Sequence, residues 1–88
     1  MKPNLKLFIL ETCPYCKQVF KWMDELIAED PRYATIKVDM INERLNPDIC
    51  NAHDYYYVPT YFLGEEKLHE GVCSKAKVKE IFDKYLAQ

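Results

Sequence analysis

Cys13-Pro14-Tyr15-Cys16 separates a short apolar run, Leu5-Lys6-Leu7-Phe8-Ile9-Leu10, from a segment whose apolar residues fall at helical spacing. No other feature constrains the chain as much. The run reads as a buried strand. Beyond it, Cys16, Val19, Phe20, Met23, Leu26 and Ile27 share one helix face, which ends near Glu29 ahead of Pro31. Pro14 suits the first helical position, where a missing N–H costs nothing. Cys13 is then the N-cap, its side chain facing the unpaired amides of Tyr15 and Cys16. A sulfur so placed is expected to accept hydrogen bonds from those amides, and the helix dipole favours it as a thiolate. Cys16, one turn in, is expected to be more buried and less acidic. That asymmetry makes Cys13 the candidate nucleophile toward a disulfide and Cys16 the resolving thiol.

The rest of the chain supplies the other layers. Thr35-Ile36-Lys37-Val38-Asp39 alternates as a second strand. Asn46-Pro47 reads as the cap and first-turn proline of a short helix through Cys50 and Ala52. Thr60-Tyr61-Phe62-Leu63, a turn at Gly64-Glu65-Glu66, and Lys67-Leu68-His69-Glu70 have the pattern of a hairpin. Ser74 caps a last helix with Val78, Ile81, Phe82 and Tyr85 on one face. The order strand, helix, strand, helix, strand, strand, helix predicts an α/β fold with a mixed four-stranded sheet and helices on its faces. At 88 residues, with no repeat or linker, one domain spanning 1–88 is expected.

Composition excludes several functions. Twelve basic against 14 acidic residues, net −2, argue against nucleic acid as a partner. Two glycines, Gly64 and Gly71, leave no glycine-rich phosphate loop. Ser74, the single serine, lacks Gly-x-Ser-x-Gly surroundings, against a serine hydrolase. The N-terminal apolar run is too short to span a membrane and lacks a small-residue cleavage site, so a cytoplasmic location away from membranes is expected. Thiols there stay reduced, which points the four cysteines toward redox or metal chemistry rather than a stapling framework. A zinc or iron–sulfur centre on Cys13 and Cys16 needs two more ligands, and neither Cys50 nor Cys73 has a partner at metal spacing. Redox use fits better, with no metal and no bound cofactor expected beyond a Cys13–Cys16 disulfide. His53 and His69 have no cysteine or carboxylate at motif spacing and are assigned no chemistry.

Cys13-Pro14-Tyr15-Cys16 resembles the motif of dithiol glutaredoxins, and Val58-Pro59-Thr60 ahead of a strand resembles the cis-proline loop of the thioredoxin superfamily. The resemblance implies a thioredoxin fold, βαβαββα, and a monomeric thiol-disulfide oxidoreductase acting on protein disulfides or glutathione mixed disulfides. It implies a cis Val58–Pro59 bond beside the cysteines, with Val58 free to pair with substrate backbone. Tyr15, Val58, Pro59, Gly71, Cys73 and Ser74 become candidate substrate-binding residues, with Lys17 and Tyr57 beside them, and Tyr55 and Tyr56 lining either a groove or the core. Cys73 reads either as a third reactive thiol or as a small residue at a helix entrance, and Cys50 as core.

The sequence also departs from glutaredoxins. Leu10, followed by Glu11, stands where they commonly carry a base that helps hold a glutathione carboxylate; Lys17 is the nearest compensating cation. Glu70-Gly71-Val72-Cys73-Ser74 keeps one glycine of their glutathione loop and no acidic pair; Gly71, Cys73 and Ser74 are left as backbone donors at a helix start. Lys75 and Lys77 fall near that loop by position in the family. Gly-Val-x-Ser-Lys is also similar to thioredoxins and to the redoxins that serve ribonucleotide reductase. Electrons are expected from glutathione or, alternatively, from a thioredoxin-type flavoprotein reductase.

Overall fold

The structure is a computed structural model that describes residues 4–88. Leu5–Ile9 forms β1, and alternation along it fills two cores. Leu5, Leu7 and Ile9 join Cys16, Val19, Val78 and Phe82 on one face of the sheet, while Phe8 joins Ile41 and Phe62 on the other. The first core is closed by α1 (Pro14–Glu29) and α3 (Lys75–Leu86), which bury Val19, Met23, Leu26, Val78, Ile81 and Phe82. Phe20 is only partly buried and Ile27 is exposed, so the buried stripe of α1 is narrower than its apolar residues suggest.

The second strand departs from expectation. Pro31–Thr35 is a 3-10 helix, and β2 runs from Val38 to Asn42 rather than from Thr35. Pro31 starts a tight turn that Asp30 caps, its carboxylate accepting from Arg32 N at 3.0 Å. Tyr33 and Ile36 turn inward from that helix and its end, so the alternation at 35–37 came from a helical turn and not from a pleat. Real β2 lies at the sheet edge, where Asp39 and Met40 are both exposed and no strand alternation develops.

The remaining elements are a short α2 (Pro47–Asn51), β3 (Thr60–Leu63) and β4 (Glu66–Glu70). Asn46 occupies the N-cap of α2, but its side chain makes no cap bond; its amide donates instead to Asn42 O at 3.1 Å. Sheet order is β2-β1-β3-β4, with β1 and β2 parallel and the other pairs antiparallel. This is the mixed sheet and helix order expected. Among the described residues, no helix is long and apolar enough to cross a membrane.

Register decides where chemistry can gather. Phe8 pairs with Thr60 and Thr60 with Glu70, so β1 ends, β3 begins and β4 ends at one end of the sheet, along the strand direction. The Cys13 loop, Pro59 and Gly71 therefore leave the sheet side by side.

Candidate active site

Cys13 is the N-cap of α1 with extended backbone, and its carbonyl accepts from Cys16 N at 3.1 Å and Lys17 N at 3.2 Å. Its side chain makes no cap hydrogen bond, contrary to the expectation that the sulfur would accept from those amides. The sulfur is turned across the site instead, with Sγ 3.8 Å from Val58 O.

Cys16 is fully buried against the core. Burial pushes its thiol up to about 12, with Cys13 and the Glu43 carboxylate adding to the effect and a Leu10 backbone hydrogen bond opposing it. Glu43 escaped the sequence reading. It follows β2 directly and its N–H donates to Ile9 O at 3.0 Å, which brings it to the end of β1 from which the cysteine loop departs. Only the pairing of two strands reveals that proximity.

The Val58–Pro59 bond is cis, and Pro59 is fully buried. The loop ahead of it is tied down from β4. Glu70 accepts from Tyr56 N at 2.6 Å and Tyr57 N at 3.0 Å, and pairs with Lys67 at 2.7 Å. Those bonds hold the Glu70 carboxyl below its ordinary range. Lys67 also donates to Asp54 O at 3.2 Å, and Thr60 donates its hydroxyl to Tyr57 O. The three tyrosines divide: the Tyr55 ring packs on Phe8 at 4.7 Å, whereas Tyr56 and Tyr57 point outward, 84% and 70% exposed. Sequence alone does not distinguish these fates.

Gly71 has φ +84°, which favours glycine, and its N–H donates to Pro59 O at 2.9 Å. That donor is committed to the fold, a correction to its reading as a ligand donor. Cys73 is half-buried and packs on the core; its thiol donates to Ser74 O at 3.5 Å. Burial pushes that thiol up, as suits a packed small residue better than a reactive one. Ser74 caps α3, accepting from Lys77 N at 3.1 Å. Tyr15 and Lys17 are exposed in the first turn of α1.

Two other residues settle elsewhere. Lys75 pairs with Glu25 at 3.0 Å and with Glu29, at the far end of α1, rather than standing ready at the Gly71 loop. Cys50 is half-buried against Phe8, Ile41 and Phe62, on the opposite face of the sheet from Cys16. It cannot join the Cys13 pair around one ion, and among the described residues no three His, Cys, Asp or Glu side chains gather as metal ligands. His53 pairs with Lys6 Nζ at 2.7 Å and with Ile49 O at 2.8 Å, a structural tie between β1 and α2.

The arrangement suits thiol exchange: one partly accessible sulfur beside a backbone carbonyl, with a second, protonated sulfur behind it. A family model described as a thioredoxin domain matches residues 4–83. Comparison with curated proteins found no match.

Proposed function

Because the chain belongs to the thioredoxin domain family, we propose that it is a thiol-disulfide oxidoreductase that reduces protein disulfides through Cys13 and Cys16. The observation that carries this reading is the asymmetry of the pair: Cys13 is half-buried beside Val58, and Cys16 is fully buried behind it. The Cys13 thiolate attacks one substrate sulfur, forms a mixed disulfide and expels the other sulfur as a thiolate, which takes up a proton. Cys16 then gives up its proton, attacks Cys13 Sγ and releases the second substrate thiol. The substrate gains two electrons and the protein is left with a Cys13–Cys16 disulfide. Val58, Pro59 and Tyr15 flank the path of the substrate chain.

The surface favours a flavoprotein reductase of the thioredoxin type as electron source. Leu10 offers no cation, Lys75 is held by two carboxylates, and the Gly71 amide is already bonded. Glutathione, which the Cys-Pro-Tyr-Cys resemblance implies, is the second reading; Tyr15 within the motif supports it. Insulin reduction driven by NADPH tests both. Turnover is expected with thioredoxin reductase and is expected to vanish in Cys13→Ser. Turnover with glutathione and its reductase alone favours the second reading, and activity in Cys13→Ser rejects the mechanism.

A further inference from the structure

The two exposed tyrosines before Val58 are not a loose aromatic loop. Their backbone N–H groups both end on one carboxylate, Glu70, which is fixed in turn by Lys67. Gly71 lies against Tyr57 as well, the position of a Cβ there being 3.7 Å from Tyr57 Cβ. Backbone held at several points while two large rings remain in solvent is the form of a preorganised contact surface, because the ordering cost is met before any partner arrives. Tyrosine suits the purpose: it offers broad, amphipathic area with few torsions to freeze. Val72, next to Gly71, is 63% exposed and extends the apolar character.

The position of this ledge identifies its occupant. Tyr57 directly precedes Val58, whose carbonyl is 3.8 Å from Cys13 Sγ. A disulfide engaged at Cys13 therefore carries its neighbouring residues, spaced about 3.3 Å apart in an extended chain, alongside the loop that bears both rings. We infer that Tyr56 and Tyr57, positioned by Glu70, form an aromatic ledge that receives apolar side chains flanking the disulfide of an extended protein segment. The inference rests on the oxidoreductase reading and adds a substrate class to it. Glu70 is a positioning residue, acting through the tyrosine backbone rather than on the substrate.

The test uses two blocked peptides of equal length and charge, each a disulfide-linked dimer through one cysteine. In one the cysteine is flanked by phenylalanine, in the other by serine. Pre-reduced protein is mixed with each and the second-order rate of thiol release is divided by that peptide's rate with dithiothreitol. The wild-type protein is expected to prefer the phenylalanine peptide by about fivefold or more, as partial burial of an apolar side chain allows. The ratio is expected to fall below about twofold in the Tyr56→Ser/Tyr57→Ser double variant and in Glu70→Ala, with Glu70→Gln between. A general folding defect slows both peptides alike and leaves the ratio intact. A wild-type ratio near one, or an unchanged ratio in the double variant, overturns the ledge. A wild-type ratio kept by both Glu70 variants overturns the positioning role. Release of thiol from neither peptide by wild-type protein rejects the oxidoreductase reading itself.

Discussion

The Cys13 sulfur stands 3.8 Å from the carbonyl oxygen of Val58, 45 residues further along the chain. Strand register produces this meeting, since the end of β1 and the start of β3 are opposed through Phe8 and Thr60. The outward sulfur consequently sits beside backbone that a substrate chain can approach, while the inward sulfur does not.

That difference predicts selective alkylation. Cys16 is buried with its thiol pushed up to about 12, so it stays protonated at pH 8. Brief treatment of the reduced protein with iodoacetamide at pH 8, followed by peptide mass mapping, should label Cys13 and leave Cys16 unmodified. Equal labelling of both contradicts the assigned asymmetry.

Core and surface leucines should separate cleanly. Leu7 is fully buried between the sheet and its helices, so Leu7→Ala is expected to cost about 2–5 kcal/mol in urea unfolding. Leu45 is 71% exposed, and Leu45→Ala should stay within about 0.5 kcal/mol of the parent. A reversed order contradicts the placement of the core.

Acid should loosen the tie between the 3-10 helix and α3. Asp83 accepts from the buried Tyr33 hydroxyl and pairs with Lys79 at 2.9 Å, which holds its carboxyl below the ordinary value of about 3.9. A carboxylate depressed in the folded state stabilises above its unfolded pKa, and that contribution is lost as pH falls through the folded value. Unfolding free energy should therefore drop as pH is lowered from 5 toward 3. Asp83→Asn should be less stable at pH 7 and show a shallower acid dependence. Denaturation curves at pH 7, 5 and 3 check both; an unchanged slope contradicts the role of Asp83.

Much of the fold was legible because local rules and global packing agree. Pro14 and Ser74 mark helix starts, and Leu5, Leu7 and Ile9 alternate with Phe8 as a strand buried on both faces must. Legibility failed where another local structure imitated the pattern, as when the 3-10 turn placed Tyr33 and Ile36 inward and displaced the start of β2. In the site, the Cys-x-x-C spacing located both sulfurs but not their orientation, since the Cys13 side chain can turn either onto the first-turn amides or across to Val58 O. Glu43 and Glu70 were invisible for another reason. Glu43 comes to the end of β1, and Glu70 to the amides of Tyr56 and Tyr57, only because strand pairing brings distant segments together.

The most direct test is a trap for the mixed disulfide. Reduced Cys16→Ser protein is incubated with excess peptide disulfide, quenched in acid and analysed by intact mass and peptide mapping. One adduct per chain on Cys13 is predicted, and none in the Cys13→Ser/Cys16→Ser double variant. Adducts confined to Cys50 or Cys73, or no adduct at all, would contradict Cys13 as the attacking sulfur.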